Sequence, residues 1–286
     1  MLRDYQEDLY IKTIEAIRQG KRGILIQMPC RSGKSFLMAE MIRNLKGYGL
    51  VLVHRKELMK QHKALLNELD ITNVRVASVF TEVNHLGEYG KPSVIFIDEC
   101  HLSEASSYKK VCNHYDVLVV GFTATPTRLN GDRLSLFDCI VQGITANDLM
   151  EQGAISKYDY YAPNIGIDAS DISIVRGDYR TSELQDLFTK NCVYGDIFKY
   201  YKELADGKQA IAYCVSIEHS KKVRDLFVAN GVSAVHLDSH TPSSEREKVM
   251  NDFKQGKFKI LCNVGLISEG ITVPDCECCL LLRPTM

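Results

Sequence analysis

Long apolar runs are missing from this 286-residue chain, and no hydrophobic segment approaches the ~20 residues needed to span a bilayer. The first eight residues are polar and acidic, and they do not form the pattern of a signal peptide. The chain also has no low-complexity tract and no internal repeat at the spacing of solenoid proteins. These absences exclude the membrane-embedded, secreted and repeat classes, and they predict a globular, cytoplasmic protein with no membrane partner.

Paired metal ligands are scarce, although the chain contains ten cysteines. Residues 276–279 formally contain a Cys-x-x-Cys pair, but a zinc site needs a second pair of ligands at a suitable distance, and none is evident. Several cysteines instead lie in predicted strands, where a free thiol behaves as a small buried hydrophobe. The composition therefore favours reduced, structural cysteines, as expected in the cytosol.

An excess of positive charge is missing as well, because 35 Lys and Arg are balanced by 36 Asp and Glu. The resulting net charge of −1 taken alone argues against a protein that binds nucleic acid. The distribution is uneven, however: residues 1–63 hold 13 Lys and Arg against 6 Asp and Glu, whereas residues 64–150 hold 6 against 11. The N-terminal excess of basic side chains is available for the phosphates of a nucleotide or of a nucleic-acid backbone.

Residues 27–35, with the sequence QMPCRSGKS, have the context of a phosphate-binding loop. A short apolar strand, residues 23–26, precedes them, and a helical pattern over residues 36–42 follows. In such a strand–loop–helix unit, the N–H groups of the loop and the positive end of the helix hold phosphates. Lys34 would supply a cation for the β- and γ-phosphates, and the Ser35 hydroxyl would ligate Mg²⁺.

The loop departs from the usual Gly-x-x-x-x-Gly-Lys-Ser/Thr pattern in two ways. Met28 stands in place of the first glycine. Arg31 occupies a position that is usually glycine; it would fit there if its φ is negative, and its side chain could itself approach phosphate. The loop residues predicted to contact ATP are Pro29, Cys30, Arg31, Ser32, Gly33, Lys34 and Ser35.

A second strand, residues 93–97, ends directly in Asp98 and Glu99. Its uninterrupted apolar run is typical of a strand buried on both faces of a parallel sheet. Two carboxylates at the C-terminal end of such a strand, near the phosphate loop, fit the hydrolysis of a nucleoside triphosphate. Asp98 would hold Mg²⁺ through its water shell, and Glu99 would polarise the attacking water. We therefore predict Lys34, Asp98 and Glu99 as catalytic residues, and Ser35 and Asp98 as the magnesium site.

A third apolar run, residues 117–122, ends in Thr-Ala-Thr-Pro at residues 123–126. The phosphate loop, the Asp-Glu-Cys-His of residues 98–101 and this segment, in that order, resemble motifs I, II and III of superfamily-2 helicases of the DEAH or DExH kind. The amino-acid sequences of residues 54–58 and 121–129 are most similar to those of RadD-like DNA helicases and of the translocase subunits of type III restriction enzymes.

The resemblance extends to further segments and implies roles for them. Residues 2–6 resemble the segment that reads adenine, and residues 51–58 resemble motif Ia, which touches the nucleic-acid backbone. Residues 212–219 and 263–275 resemble motifs IV and V. The roles implied are ATP binding by Arg3, Gln6, Glu269 and Gly270, coupling of hydrolysis to movement by His101, Thr123 and Thr125, and nucleic-acid binding by His54, Arg55, Lys56, Ser216 and Asn263.

Alternation of short apolar strands with amphipathic helices predicts an α/β fold. Together with the resemblance, it implies two RecA-like P-loop domains, each a mainly parallel sheet flanked by helices, with a nucleotide cleft between them. The predicted boundaries are residues 1–152 for the ATP-binding domain, 153–190 for a connecting segment and 191–286 for an incomplete second domain.

Four local expectations accompany this plan. Residues 144–152 are predicted to form a short helix that Thr145 caps. Residues 158–163 are interpreted as a strand, the polar residues 170–180 as a loop, and residues 279–282 as a buried strand.

The resemblance implies an ATP-dependent DNA helicase or translocase that uses Mg²⁺ and couples hydrolysis to movement along, or unwinding of, nucleic acid. Motif VI of the family, which supplies an arginine finger, has no counterpart in these 286 residues. The alternative is therefore a module that binds nucleotide and nucleic acid with little ATPase activity. A P-loop kinase is disfavoured, because a kinase needs neither the second sheet nor the Thr-Ala-Thr-Pro segment.

Overall fold

The chain separates into two compact units, Met1–Tyr160 and Tyr161–Met286. The computed structural model describes residues 2–126, 133–162, 170–175, 178–180, 182–183, 187, 194–267, 273 and 275–283. Each unit is built around its own sheet, and the predicted connecting segment, residues 153–190, falls on both sides of the division.

The described residues of the first unit form a six-stranded sheet with the order β3-β2-β4-β5-β1-β6, in which all pairings are parallel. The strands are β1 (Gly23–Gln27), β2 (Gly49–Val53), β3 (Val74–Ser78), β4 (Val94–Asp98), β5 (Leu118–Thr123) and β6 (Cys139–Gln142). The central strands β2, β4 and β5 are almost entirely buried. Their uninterrupted apolar runs are explained by helices on both faces of the sheet, as the sequence predicted.

The helices of the first unit cover both faces of this sheet. They are α1 (Asp4–Arg18), α2 (Lys34–Arg43), α3 (Lys56–Glu68), α4 (Val79–Glu82), a 3₁₀ turn (Cys100–Leu102), α5 (Ser106–Tyr115) and α6 (Ala146–Glu151). Because side chains alternate along a strand, Ile24 and Ile26 of β1 pack in one core with α1, α2 and α3. Leu25 faces the opposite core, where Tyr108 and Val111 of α5 lie.

The second unit repeats this plan on a smaller scale. Its described residues form a parallel four-stranded sheet with the order β10-β11-β9-β12 and a separate antiparallel pair, β7-β8. The elements are β7 (Ile174–Val175), β8 (Asp178–Tyr179), α7 (Tyr194–Ala205), β9 (Ala210–Tyr213), α8 (Ile217–Ala229), β10 (Ala234–Leu237), α9 (Ser243–Lys254), β11 (Ile260–Asn263) and β12 (Cys278–Leu281). Phe227 of α8 packs in the core on one side of the sheet, and Phe253 of α9 packs in the core on the other side.

Three local expectations require correction. Residues 158–162 are not in a strand, and Tyr158 and Tyr160 are each 74% exposed, because no described strand lies beside them to pair with their backbone. Two-residue strands, β7 and β8, interrupt the predicted loop over residues 170–180. Strand β12 is only half buried, because among the described residues it pairs with β9 alone and exposes Cys279 and Leu281.

The predicted cap of α6 is confirmed. The Thr145 hydroxyl accepts a hydrogen bond from the backbone N–H of Asp148, and the Asp148 carboxylate accepts one from the backbone N–H of Thr145. This reciprocal arrangement satisfies two of the N–H groups that every helix leaves free at its start. Among the described helices, none combines the length and apolarity required to cross a membrane.

Candidate functional site

The loop between β1 and α2 lies at the C-terminal edge of the first sheet, where β1, β4 and β5 end side by side. Gln27, the last residue of β1, lies opposite Thr123 of β5, and Asp98 of β4 lies opposite Phe122 of β5. The Met28 N–H extends this register by donating to the Thr123 carbonyl at 3.0 Å. The sheet therefore brings together the three segments that the sequence identified as motifs I, II and III.

Gly33 meets two separate requirements of the loop. Its φ of +84° lies in the left-handed region, which glycine occupies without a steric penalty. A Cβ atom at this position would also lie 2.3 Å from Nε2 of Gln6. The position therefore has neither the backbone angle nor the space that another residue needs.

The two departures from the usual loop pattern have different explanations. Met28 is fully buried in the core of the first unit, so its side chain fills space beneath the loop. Arg31 is exposed and has a φ of +62°. The condition of a negative φ is not met: the loop keeps the left-handed backbone that glycine normally provides. For a residue with a Cβ atom that conformation costs ~1 kcal/mol.

The start of α1 clamps this loop through Gln6, which is buried. The Gln6 Nε2 donates to the carbonyls of Ser32 and Gly33 at 3.0 and 3.2 Å, and its Oε1 accepts from the Arg3 N–H at 2.9 Å. The hydroxyl of Tyr5, which sequence reasoning did not select, donates to the same Ser32 carbonyl. Both hydrogens of the Gln6 amide are thus used, and one lone pair of Oε1 is left.

A cavity of about 340 Å³ opens beside this clamp. Its lining includes an exposed aromatic ring, Phe36, together with the side chains of Gln6 and Arg3. Its other lining residues are Leu2, Arg31, Ser32, Gly33, Glu40, Arg43 and Leu69.

Asp98 is held by a partner that sequence reasoning missed. His62 Nε2 lies 2.8 Å from Asp98 Oδ2, and both side chains are buried. The other oxygen, Oδ1, accepts the Glu99 N–H at 3.0 Å. Burial acts to raise the pKa of Asp98, but the bond and charge of His62, with the charge of Lys34, outweigh it and hold this pKa below its usual value. The carboxylate is therefore ionised at neutral pH.

Glu99 lies next to the loop cation and has an unusual backbone conformation. Its Oε1 lies 3.5 Å from Nζ of Lys34, and both side chains are largely buried. Its φ of +50° is in the left-handed region, where a residue other than glycine is strained by about 1–3 kcal/mol. Strain of this kind concentrates where the backbone must aim a side chain, here towards Lys34.

His101 connects motif II to motif III. Its Nδ1 lies 3.5 Å from Glu99 Oε2 and 3.2 Å from the hydroxyl oxygen of Thr123. That hydroxyl donates to the Thr125 carbonyl and accepts the Thr125 N–H, each at 3.1 Å. The three residues predicted to couple hydrolysis to movement therefore form one connected chain that starts at Glu99.

The oxygen donors at this edge fit Mg²⁺. The ionised carboxylate of Asp98 and the hydroxyl of Ser35 are hard ligands of the kind that Mg²⁺ prefers, and this ion usually takes its remaining ligands from phosphates and water. Over the described parts of the chain, no group of three His, Cys, Asp or Glu side chains could hold a metal by itself.

The predicted nucleic-acid residues differ in accessibility. Arg55 and Lys56 lie where β2 ends and α3 begins, with Lys56 exposed, and His54 beside them is partly buried. Ser216 caps α8 by accepting the His219 N–H at 3.1 Å. All of these residues lie at the first turn of a helix or directly before it.

Asn263 is different, because it is fully buried. Its amide nitrogen donates to the Ala212 carbonyl, and its Oδ1 accepts the Ile267 N–H. This side chain holds the backbone after β11 and is not exposed in this structure, so its role as a nucleic-acid contact stays a prediction. Motif V also contains Glu269 and Gly270, which were predicted to contact ATP. These two residues lie outside the described residues.

Comparisons with known proteins agree with the assignment of the motifs. Residues 1–85 and 67–128 match the family "Type III restriction enzyme, res subunit", and residues 193–285 match "Helicase conserved C-terminal domain". A 51.5 kDa protein of a Lactococcus phage is 39% identical over 274 residues, which cover 91% of this chain and 59% of that protein. The putative ATP-dependent helicase IRC3 of Saccharomyces cerevisiae is 29% identical over 100% of this chain and 47% of its own length.

Solved structures agree on the fold. The helicase domain of Hef from Pyrococcus furiosus matches with a TM-score of 0.59 at 15% identity, covering 99% of this chain and 90% of that one. The chain spans about half to three-fifths of the length of the curated relatives above. With two helicase family matches, and with the phosphate loop, Asp-Glu-Cys-His and Thr-Ala-Thr-Pro at one sheet edge, the chain belongs to the superfamily-2 helicases of the DExH type.

Proposed function

We propose that this chain is the motor of an ATP-dependent DNA helicase or translocase, in which ATP hydrolysis at the first sheet drives movement along nucleic acid. The observation that carries the proposal is the arrangement of Lys34, Asp98 and Glu99 at one edge of a parallel sheet. A cation and two carboxylates placed against a phosphate-binding loop are the parts that hydrolysis of a nucleoside triphosphate requires.

Each group has a role that follows from its surroundings. The N–H groups of the loop and of the first turn of α2 bind the phosphates. Lys34, now paired with Glu99 at 3.5 Å, turns to the β- and γ-phosphates when they are present. Mg²⁺, when bound by Ser35 and Asp98, would neutralise charge that develops on the phosphates. Glu99 orients and polarises the attacking water, for which its carboxylate is free once Lys34 has moved.

The clamp at α1 favours adenine over guanine. Because both hydrogens of the Gln6 amide are donated to the loop, only the remaining lone pair of Oε1 can meet a base. That acceptor suits the exocyclic amine of adenine, whereas the O6 atom of guanine would place two acceptors against each other. Phe36 supplies an exposed ring in the same cavity, on which a base can stack.

DNA is proposed as the polymer on two grounds. The sequences of the motifs are most similar to those of DNA helicases, and the family that matches the N-terminal part of the chain is a restriction-enzyme subunit. Arg55 and Lys56 of motif Ia, and Ser216 of motif IV, would contact the backbone, so binding would depend on salt more than on sequence.

Glu99→Gln tests the proposal. We expect this variant to bind ATP with Mg²⁺ as the wild type does and to lose hydrolysis by about 10²–10⁴-fold, the usual effect of removing a general base. The matched control is Glu88→Gln, which removes an exposed carboxylate of the same unit. Turnover of ATP and GTP is measured with no polymer, with single-stranded and duplex DNA, and with single-stranded RNA.

The outcomes separate the candidate functions. Stimulation of ATP turnover by DNA, lost in Glu99→Gln and kept in Glu88→Gln, supports the proposed motor. Nucleotide binding without turnover under any condition supports a binding module instead. A Glu99→Gln variant that turns over normally contradicts the assignment of the base.

A further inference from the structure

His62 occupies a position where the pattern of α3 calls for an apolar residue. The helix runs from Lys56 to Glu68, and its buried side chains are Leu58, His62 and Leu66, four residues apart. Side chains at this spacing lie on one face of a helix, and this face packs on the sheet. An imidazole in such a stripe replaces apolar packing with a polar group, which must find a partner to offset the cost of its burial.

The partner it finds is the carboxylate proposed to hold magnesium. His62 Nε2 lies 2.8 Å from Asp98 Oδ2, with the two side chains 4% and 7% exposed. An ionised carboxylate only accepts hydrogen bonds, so Nε2 carries the hydrogen. The backbone N–H of Glu99 holds Oδ1 from the other side. The carboxylate is therefore fixed in rotation by one bond from its own strand end and one bond from α3.

We infer that His62 is a positioning residue for the magnesium site. It fixes the Asp98 carboxylate so that the remaining lone pairs of that carboxylate face the ion and its water shell. His62 touches neither nucleotide nor water in this role, and it acts only through Asp98. Groups that orient a metal ligand in this way commonly change metal affinity or activity by 10–100-fold when they are removed. The inference rests on the proposed function, because it assumes that Asp98 serves the magnesium of a bound nucleotide.

Binding of a fluorescent ATP analogue, titrated at a series of Mg²⁺ concentrations and again in EDTA, tests this role without relying on turnover. His62→Leu keeps an apolar stripe with Leu58 and Leu66 but removes the donor. His62→Gln keeps an N–H that can reach the same oxygen. His85→Gln is the control, because it removes a histidine from an exposed ion pair with Glu88 in the same unit.

We expect His62→Leu to raise the Mg²⁺ concentration for half-maximal nucleotide binding by about 10–100-fold. Binding in EDTA should match the wild type, because the phosphate loop itself is unchanged. In His62→Gln, the Mg²⁺ concentration for half-maximal nucleotide binding should return most of the way to the wild-type value. In His85→Gln it should equal the wild-type value. If circular dichroism shows that His62→Leu does not fold, His62→Asn is used in its place. The asparagine amide is too short to reach Asp98, so we expect the same increase in the Mg²⁺ concentration for half-maximal binding.

Two results would overturn the inference. One is an unchanged Mg²⁺ dependence of nucleotide binding in the folded variant, His62→Leu or His62→Asn, that lacks the bond to Asp98. The other is an equal loss of nucleotide affinity with and without Mg²⁺, which would show that His62 only supports packing. If the wild-type chain shows no Mg²⁺-dependent nucleotide binding at all, the proposed function fails and this role fails with it. If the wild type shows Mg²⁺-dependent nucleotide binding and the His62 variants show the same Mg²⁺ dependence, only the role of His62 is contradicted and the proposed function stands.

Discussion

Gly33 is the residue on which the geometry of the phosphate loop depends most directly. We expect Gly33→Ala to lower the free energy of unfolding by more than the ~1 kcal/mol of left-handed backbone strain, because the new Cβ also displaces the Gln6 amide from the loop. Nucleotide affinity should fall with it. The measurement is urea unfolding together with nucleotide titration.

The control for this prediction is Gly20→Ala. Gly20 has the same φ of +84°, yet no atom lies within 4 Å of the Cβ it lacks. It therefore reports the backbone strain alone. Equal losses of stability in the two variants would contradict the role given to the Gln6 clamp.

Lys34 is the loop cation, and its removal tests the loop assignment itself. Lys34→Ala should abolish binding of ATP with Mg²⁺, because it removes the cation proposed to turn from Glu99 to the β- and γ-phosphates. The measurement is a direct nucleotide titration by calorimetry. Lys46→Ala, which changes an exposed lysine just beyond α2, should bind as the wild type does. Unchanged affinity in Lys34→Ala would show that the phosphates lie elsewhere.

At the scale of the element, two proposed roles lie along α3. Arg55 lies directly before the helix, and His62 lies seven residues further on, about 10 Å along the axis at 1.5 Å per residue. A single rigid helix therefore connects the proposed backbone contact to the carboxylate of the magnesium site. Under the proposed function, this helix is a short physical route from the nucleic acid to the site of hydrolysis.

Arg55→Ala tests the first of these functions. Loss of one phosphate contact should weaken binding to all DNA sequences alike and lower the slope of log affinity against log salt by about one. Fluorescence anisotropy over a range of salt concentrations measures both quantities. Arg18→Ala, an exposed arginine at the end of α1, is the matched control. A loss confined to some sequences would indicate readout of bases at a different interface.

The first turn of α8 predicts a dependence of stability on pH. His219 is buried, and its Nδ1 accepts the Val215 N–H at 3.3 Å. Burial, together with the charge of Lys222, lowers the pKa of His219 from 6.5 to about 4. Between these values the unfolded chain binds a proton that the folded unit does not, so the stability present above pH 6.5 is lost as the pH falls towards 4.

We expect the free energy of unfolding of the second unit to fall by roughly 2–3 kcal/mol from this group over that range. Urea unfolding between pH 7 and pH 4 measures the trend. His219→Leu should flatten it even if the variant is less stable at pH 7. A wild-type slope that His219→Leu does not alter would assign the effect to other groups.

At the scale of the whole molecule, the described nucleotide-site residues all belong to the first unit, which also has its own two cores. Residues 1–160 expressed alone should therefore fold cooperatively and bind a nucleotide. Circular dichroism, thermal unfolding and nucleotide titration check this, with Lys34→Ala in the same fragment as the negative control. A fragment that folds but binds no nucleotide, while the full chain does, would show that the second unit supplies an essential contact.

Local pattern in the sequence determined most of the architecture. Short apolar runs bounded by polar residues predicted β1, β4 and β5, because strands covered on both faces admit little else. The spacing of loop glycine, lysine and serine after a strand predicted a phosphate site, and Asp98-Glu99 predicted its carboxylates. The sequence motifs resemble those of helicases, and this resemblance agreed with the family matches.

Only the tertiary structure decided which partner each of these groups meets. His62 and Asp98 are 36 residues apart, and they meet because α3 packs on the sheet that contains β4. A polar residue in an apolar helical stripe is the signal that could have drawn attention to His62. Asn263 is fully buried, Arg31 takes a left-handed backbone, and β12 is half exposed. Sequence patterns report what a residue prefers locally, whereas burial and pairing depend on neighbours that folding brings from elsewhere in the chain.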